Sequence, residues 1–475
     1  MIMKSVSRRF SSKVIMSSKK KASSRTCCVA SETSSQDASI HKYAAEAAEE
    51  RKLTFRDSLP PSLNEVASSE HDNVVAKFEP GEIVLGPKLG QGEFSDVYEV
   101  ESFTLRLSND GELSEDESAK RSQMKKMEKY RMTNNARYAL KHIKQNYLKV
   151  NGETNYIEAA SDLCMEAEIL SKLTHPNIIK IRGMTMSGSA GFADGPSGYF
   201  LVIDRLFETL DQRINRWHGS YKRRNSNRRT FKKRLSSIFP KSINAVTTLR
   251  EKSQGEGIEV EVEEDGLMDE CLSVALQLSA AMKYLHKHSI IFRDLKPANV
   301  GFDVRGDVKI FDFGLARVVP QGGKPYVDMY EMSGAGSPRY TAPECISGDE
   351  YNMKADVYTF GLVLWEMLTG KPPYLHVKSR EQLFCHVVYD GGRPKIDKSW
   401  PSSIKNMLES SFDANVQKRP KMELFYDIIR KVLSSLRGGD DSGLSHAAIN
   451  RRRTVESLRN INLKELRAER RHTSN

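Results

Sequence analysis

The chain has 475 residues, 39% of them hydrophobic and 28% charged, which is enough for more than one domain and at least one sizeable core. No continuous apolar run reaches the length of about 18 residues that a membrane helix needs, so we expect no membrane span. The formal net charge is +11, and the charged residues cluster in separate basic and acidic blocks. Such blocks are typical of solvated tracts. The six cysteines have neither zinc-site nor disulfide spacing, which favours free thiols in a reducing compartment.

Residues 1–78 are polar, basic and rich in serine, so we predict a disordered N-terminal region with a short helix around His41–Lys52. Residues 1–35 contain their first acidic residue only at Glu32. That composition fits a disordered basic tail and also an organelle transit peptide, and both interpretations stay open. We expect a cytoplasmic and/or nuclear protein, with organelle targeting as the alternative.

Two short apolar segments then surround a glycine-containing turn. Alternation at Ile83 and Leu85 predicts one strand, and residues 94–100 predict a second strand that returns from the turn. A polar, charged insertion at about residues 103–136 separates this hairpin from a third strand over Arg137–Ile143. A helix over about Ile157–Leu173 follows, and it ends before a His-Pro pair.

The remaining chain is mostly helical in its pattern. Residues 199–204 are apolar and extended, and a second insertion follows at about residues 217–266. Helical periodicity then begins near Val274 and continues to about Leu436, before a basic tail over residues 437–475. We therefore predict an α+β fold in which a strand-rich part precedes a larger helical part.

Polar residues with a fixed spacing stand between these helices. Residues 292–299 read Phe-Arg-Asp-Leu-Lys-Pro-Ala-Asn, residues 312–314 read Asp-Phe-Gly, and residues 342–344 read Ala-Pro-Glu. Two carboxylates, a lysine and an amide at these offsets suit phosphoryl transfer from a magnesium nucleotide. The whole pattern resembles the protein kinase family, and with the two insertions the resemblance covers about residues 79–436.

The resemblance implies a two-lobed kinase fold that uses ATP and Mg²⁺. Asp294 would accept the proton of the substrate hydroxyl, and Lys296 would steady the transferred phosphoryl group. Asn299 and Asp312 would bind Mg²⁺ through oxygen atoms, as a hard cation requires.

The predicted hairpin carries most of the nucleotide-binding residues that the resemblance implies. Gly90-x-Gly92 resembles the kinase glycine-rich loop, in which glycine lets backbone N–H groups approach phosphates, although Ser95 replaces the third glycine. The full set of residues expected to contact ATP is Leu89, Gly90, Gly92, Val97, Ala139, Lys141, Asp204 and Leu206.

Lys141 lies in a Tyr-Ala-Leu-Lys segment that resembles the kinase strand lysine. The resemblance implies a carboxylate partner on the following helix, and Glu166 is the expected one. Glu168 is the rival candidate, but two positions on a helix point to different faces.

Two landmarks concern packing and not chemistry. Phe292 stands where the family usually has histidine, and we expect its ring to pack beside Phe313 without loss of activity. Arg419 matches the family arginine that pairs with the carboxylate at Glu344 as a structural brace.

A lysine two residues after the catalytic aspartate, here Lys296 after Asp294, is typical of serine/threonine kinases. Residues 336–344 also resemble the serine/threonine kinase pattern. The sequence therefore predicts a serine/threonine protein kinase, with weaker features of the tyrosine-kinase-like group. A dual-specificity kinase and a pseudokinase scaffold are the alternatives.

The resemblance also implies control by phosphorylation of the loop between Asp312 and Glu344. Arg293 and Arg317 are the expected phosphate contacts, because arginines order such loops by charge-assisted hydrogen bonds. Ser333 is the expected site for an upstream activating kinase, with Tyr326, Tyr330 and Ser337 as rivals.

We expect protein substrates as partners. Nucleic acid is not expected, because the basic blocks lack interleaved aromatic residues. The block from Lys222 to Arg234 also fits a nuclear-import signal.

Overall fold

The computed structural model describes residues 25–26, 35–58, 75–106, 113–129, 137–219, 261–319, 322–332 and 336–437. The chain divides into two compact units, and the first comprises residues 1–207, 284–294 and 309–337. The second comprises residues 208–283, 295–308 and 338–475. No helix in these described ranges is long and apolar enough to cross a membrane.

The first unit is built on a seven-stranded sheet. Its strands are β1 (Arg25–Thr26), β2 (Ala76–Phe78), β3 (Ile83–Gln91), β4 (Ser95–Phe103), β5 (Tyr138–Ile143), β6 (Ile181–Thr185) and β7 (Phe200–Asp204). The order across the sheet is β1-β3-β4-β5-β7-β6-β2, and only the pair β2 and β6 is parallel. Central strand β5 is buried at every position, including the polar residues Lys141 and His142.

The insertion predicted at residues 103–136 contains a helix that packs on this sheet. In the structure β4 continues to Phe103, and α2 (Glu115–Lys129) follows α1 (Ser35–Ser58) as the second helix of the unit. Met124 of α2 joins the apolar core of the sheet. Arg121 is fully buried and pairs with Glu82, which is also fully buried. The described part of the insertion is therefore more than a surface loop.

Two further helices precede β6, namely α3 (Tyr147–Asn151) and α4 (Glu153–Lys172). Helix α4 corresponds to the predicted helix 157–173 and starts four positions earlier, directly after Gly152. Gly152 has φ +83°, a left-handed conformation that glycine adopts without steric cost, so the chain can turn between α3 and α4.

Helix α1 corrects the prediction that residues 1–78 are disordered apart from a short helix around residues 41–52. The structure forms a helix of 24 residues, and α1 packs against α4 and against the 3₁₀ turn Gly188–Asp194. The helix predicted at residues 41–52 is present, but the prediction of disorder was wrong for residues 35–40 and 53–58. The buried face is made of alanines and a histidine, together with Phe55, and has little apolar signal. Strand β2, at residues 76–78, is also ordered.

The second unit is mainly helical. Its helices are α5 (Glu261–Lys287, of which residues 261–283 belong to this unit), α6 (Pro343–Ser347), α7 (Lys354–Thr369), α8 (Arg380–Phe384), α9 (Ser402–Ser411) and α10 (Met422–Leu436), and residues 210–219 are also helical. Helix α7 is central, since residues 354–364 are all buried. Gly361 allows α7 to approach α9 closely, because a Cβ there would lie 2.2 Å from Ser411 Oγ.

Short strands complete the two units. They are β8 (Glu208–Thr209), β9 (Ile290–Ile291), β10 (Val300–Phe302), β11 (Val308–Ile310) and β12 (Arg317–Val318). Strand β8 pairs with β10 in the second unit, and β9 pairs with β12 in the first. The α+β prediction is confirmed: the first unit is rich in strands and the second is mostly helical. The insertion predicted at residues 217–266 and the tail predicted at residues 437–475 lie mostly outside the described residues.

Candidate active site

The hairpin of β3 and β4 holds the glycine-rich segment. Gly90 pairs with Val97 in the ladder, and the Gly92 N–H donates to the Ser95 carbonyl at 2.8 Å to close the turn. A Cβ at Gly90 would meet nothing within 4 Å, which leaves open space above the backbone there. A Cβ at Gly92 would lie 2.9 Å from Ser95 Oγ, so the serine that departs from the family pattern fills space that Gly92 leaves.

Lys141 of β5 lies at the centre of a charged cluster in the first unit. Its ammonium donates to Glu166 Oε2 at 2.5 Å and to Asp312 Oδ1 at 3.1 Å. The side chains of Lys141 and Glu166 are 7% and 3% exposed, whereas that of Asp312 is 38% exposed. The structure thus brings together the expected lysine and glutamate and leaves the Asp312 carboxylate accessible.

The electrostatics of this cluster follow from its burial. Burial alone lowers the pKa of Lys141, but the neighbouring Asp312 and Glu166 carboxylates more than offset it, and the pKa is raised above its ordinary value. Lys141 therefore stays a cation at neutral pH. The fixed ammonium of Lys141 is suited to binding phosphate oxygens.

Glu168, the rival partner for Lys141, points elsewhere. Its two carboxylate oxygens accept hydrogen bonds from Arg56 of α1 at 2.8 and 2.9 Å. The choice between the two glutamates therefore follows the helical geometry expected from the sequence.

The residues expected around an adenine ring lie on neighbouring strands of the same sheet. Val97 of β4 is opposite Lys141, and Ala139 of β5 is opposite Ile203 of β7. The Asp204 N–H is bonded to the Lys180 carbonyl at 3.2 Å, so it is already occupied. Leu206 follows β7 and is half-buried, as is Leu89 in β3.

The backbone is unusual at Asp312 and at Arg293, the residue before Asp294, in the first unit. Arg293 has φ +72° and Asp312 has φ +69°, and such left-handed non-glycine residues are uncommon and concentrate at functional sites. Asp294 is 8% exposed, and its Oδ1 accepts from the Ser337 N–H at 3.0 Å and from Ser337 Oγ at 3.2 Å. From the sequence, Ser337 belongs to the kinase-like segment 336–344 and to the rival phosphorylation sites, but this contact with Asp294 was not predicted.

The predicted packing of Phe292 beside Phe313 is confirmed. Phe292 and Phe313 are both fully buried, and their rings form an edge-to-face pair with centroids 5.0 Å apart. Such aromatic pairs are worth about 0.5–1.5 kcal/mol beyond the area they bury. The substitution therefore keeps an apolar column next to Asp312.

The loop residues proposed for regulation are only partly described. Arg317 starts β12, and its guanidinium donates to the Ala316 carbonyl at 2.7 Å. The Tyr326 hydroxyl lies 2.7 Å from Nδ1 of His286. Ser333 lies outside the described residues.

Lys296 and Asn299 belong to the second unit. Pro297–Asn299 forms a single 3₁₀ turn between Leu295 and β10, and the Asn299 N–H donates to the Lys296 carbonyl at 2.9 Å. Asn299 is 4% exposed, and Lys296 is half-buried. The turn thus fixes the backbone between the lysine and the amide.

The brace predicted between Arg419 and Glu344 is confirmed within the second unit. The guanidinium donates to both carboxylate oxygens at 2.6 and 2.8 Å, and the Arg419 side chain is fully buried.

A buried strand lysine held by a helix glutamate, with an accessible Asp-Phe-Gly carboxylate beside it, defines the phosphotransfer site of a kinase fold. The family model described as the protein kinase domain matches residues 124–428, which is more than half of the chain. The chain belongs to the protein kinase domain family.

Several curated kinases are similar to parts of this chain. Serine/threonine-protein kinase STY17 of Arabidopsis thaliana is 38% identical over 176 residues, covering 36% of this chain and 30% of that protein. A probable serine/threonine-protein kinase of Dictyostelium discoideum is 26% identical over 288 residues, covering 60% of this chain and 14% of that protein. The dual specificity protein kinase shkD of Dictyostelium discoideum is 34% identical over 150 residues, covering 31% of this chain and 20% of that protein. The matched segments thus span less than a third of each relative's own length.

Proposed function

We propose that this chain is a serine/threonine protein kinase that transfers the γ-phosphoryl group of ATP to protein hydroxyls. The observation that carries the proposal is the contact of Lys141 with both Glu166 and Asp312 inside the first unit. The relatives named serine/threonine kinases support the choice of hydroxyl.

The residues present fit ATP and Mg²⁺. Asp312 and Asn299 offer oxygen donors, which a hard cation prefers, and the open space at Gly90 admits phosphate close to the backbone. When bound, Mg²⁺ supplies positive charge that offsets the charge developing on the phosphates.

The chain's own residues would then perform separate tasks. Lys141, held as a cation by Glu166, would bind phosphate oxygens of the nucleotide. Asp294 would orient the substrate hydroxyl and accept its proton, and Lys296 would stabilise the charge on the transferred group. The Leu206 N–H is the expected donor to the adenine ring, and Val97 and Ala139 would cover the ring.

The test is transfer of radiolabel from [γ-³²P]ATP and Mg²⁺ to a generic basic protein, with Asp294→Asn as the matched control. We expect label on serine and threonine, well above the control. Label on tyrosine as well would favour the dual-specificity alternative that the similarity to shkD suggests. No transfer above Asp294→Asn, even after treatment with upstream kinases, would favour the pseudokinase scaffold.

Activation by phosphorylation of the loop after Asp312 is part of the proposal. Ser333 is the proposed site, with Arg293 and Arg317 as phosphate contacts. Ser333→Ala is expected to abolish stimulation by an activating kinase, while Ser347→Ala, in the same part of the chain but outside the loop, leaves it intact. Full stimulation of the Ser333→Ala protein would move the site to Tyr326, Tyr330 or Ser337.

We also propose a cytoplasmic and/or nuclear location, on the basis of composition. A fusion of residues 1–40 to a fluorescent protein tests the alternative of organelle targeting. Fluorescence located in an organelle would support that alternative.

A further inference from the structure

Helix α1 presents one continuous face to the rest of the first unit. Its buried residues are His41, Ala44, Ala45, Ala48 and Phe55, which recur at the three- and four-residue spacing of one helix face. Ala44 and Ala48 are fully buried, and their small side chains let the helix axis approach its neighbour closely. The opposite face, with Lys42 and Glu46, is exposed.

Three polar contacts join this face to α4 along almost its whole length. His41 Nδ1 lies 3.0 Å from the Tyr156 hydroxyl near the start of α4, and both side chains are buried. Arg51 pairs with Asp162 at 3.3 Å in the middle.

Near the end of α4, Arg56 forms the bidentate pair with Glu168 at 2.8 and 2.9 Å. Tyr156 and Glu168 are twelve positions apart, or about 18 Å along a helix. A rotation or slide of α4 would break all three contacts together.

Helix α1 also contacts the connection between β6 and β7. Ser189 Oγ, in the 3₁₀ turn between β6 and β7, donates to Glu49 of α1. Helix α1 therefore contacts both α4 and a connection of the sheet that carries Lys141 on β5. It bridges the two elements that must stay in register for Lys141 to meet Glu166.

The contacts of α1 bear directly on the surroundings of Glu166. Asp162 is one turn before Glu166 on the same helix. It also lies next to the Asp-Phe-Gly segment, because a Cβ placed on Gly314 would be 3.7 Å from the Cβ of Asp162. Burial raises the pKa of Glu166, and the carboxylates of Asp312 and Asp162 act in the same direction against the Lys141 ammonium. Arg51 supplies positive charge to Asp162, which reduces this repulsion.

We propose that α1 is a built-in brace for the catalytic ion pair, in which Arg51 and Arg56 are positioning residues that hold α4 with Glu166 on Lys141. Residues 35–58 lie outside the segment matched by the kinase family model, which begins at residue 124. They also precede the region of residues 79–436 that resembles a kinase in sequence, so the brace is contributed from outside that region. The proposal rests on the proposed kinase function for its activity readout.

The test uses the full chain with Arg56→Glu, which replaces the bidentate pair with two facing carboxylates. Lys42→Glu is the matched control, because it makes the same charge change on the exposed face of α1. We expect Arg56→Glu to lower kcat about tenfold, within the usual range of coupling between sites, and Lys42→Glu to leave it unchanged. The swap Arg56→Glu with Glu168→Arg is expected to restore kcat.

A second comparison separates positioning from general destabilisation. In a Glu166→Gln background the ion pair is already weakened, so Arg56→Glu is expected to lower kcat much less than in the wild-type chain. An equal effect in both backgrounds, or equal kcat for Arg56→Glu and Lys42→Glu, would overturn the brace.

Failure of the kinase proposal can be distinguished from failure of the brace. If the wild-type chain transfers no phosphoryl group, the kinase proposal fails, and hydrogen exchange of the α4 amides then decides the brace. Faster exchange over residues 162–172 in Arg56→Glu than in Lys42→Glu supports it, and equal exchange rejects it.

Discussion

The Lys141 ammonium lies 2.5 Å from Glu166 Oε2 and 3.1 Å from Asp312 Oδ1, so one buried cation compensates two carboxylates from distant parts of the chain. Glu166 comes from α4 and Asp312 from the segment after β11. Because each carboxylate depends on the same ammonium, the position of Lys141 affects both the stability of the first unit and its chemistry.

Replacement of Lys141 by Met is expected to reduce kcat at least about 100-fold, the cost typical of losing one fixed charge at a reacting group. Since Glu166 is buried, the loss also leaves an uncompensated carboxylate, and the melting temperature should fall. Lys149→Met, at an exposed position of α3, is the control for charge and side-chain shape. Equal kcat in both variants would show that Lys141 does not bind the nucleotide.

The buried pair of Arg419 and Glu344 predicts a large effect on stability. Arg419 donates to both oxygens of Glu344 and, through Nε, to the Asp413 carbonyl at 2.9 Å. Arg419→Ala should cost about 3–5 kcal/mol in free energy of unfolding, because it leaves the Glu344 carboxylate buried without its partner.

The contrasting case is Arg437, which forms a bidentate pair with Asp269 at 2.6 and 3.0 Å. These two side chains are 29% and 30% exposed, so Arg437→Ala should cost no more than about 1 kcal/mol. Denaturant unfolding of both variants measures the difference. Similar costs would mean that the burial of the Arg419 pair does not govern its contribution.

The sequence predicted some parts of this structure better than others. Strand β5 and helix α4 were predicted close to their bounds, because a short strand segment set off by a polar insertion and a helix ended by a His-Pro pair are clear local signals. The pairing of Lys141 with Glu166 came from the family resemblance, and the structure brings the two together.

The full length of α1 and the docking of α1 and α2 were missed for a physical reason. The inward face of α1 combines alanines with buried polar groups such as His41, and Arg121 of α2 is buried against Glu82. Charged residues are usually exposed, so the burial of Arg121 depends on a partner far away in sequence, and alanines give a helix face little apolar signal. The left-handed backbone at Arg293 and Asp312 likewise has no local signal, because it is imposed by the surrounding fold.

Ser337 is expected to support the catalytic step through its hydrogen bonds to Asp294. Ser337→Ala removes one hydrogen bond to a charged group and should lower kcat about tenfold with little change in KM for ATP. Ser337→Thr keeps the hydroxyl and should stay near the wild-type kcat. If the alanine and threonine variants lose activity equally, the role of residue 337 does not come from its hydroxyl.

Glu366 gives the second unit a dependence on pH. Burial raises the pKa of Glu366 from its ordinary value of 4.5 to about 7, although the Tyr340 hydroxyl donates to its Oε2 at 2.6 Å. The folded chain therefore binds more protons at this site than the unfolded chain between about pH 4.5 and 7. Stability from this group is fully present below pH 4.5 and is lost as the pH rises through 7.

Glu366→Gln removes this titration and keeps an acceptor for Tyr340. Relative to the glutamine variant, the wild-type chain should lose about 3 kcal/mol of stability between pH 4.5 and pH 8. Urea unfolding at a series of pH values measures the difference, with Glu409→Gln on the exposed face of α9 as the control. The control should follow the wild-type curve. A constant difference between wild type and Glu366→Gln across this range would mean that Glu366 is ionised throughout, and that the Tyr340 hydrogen bond outweighs burial.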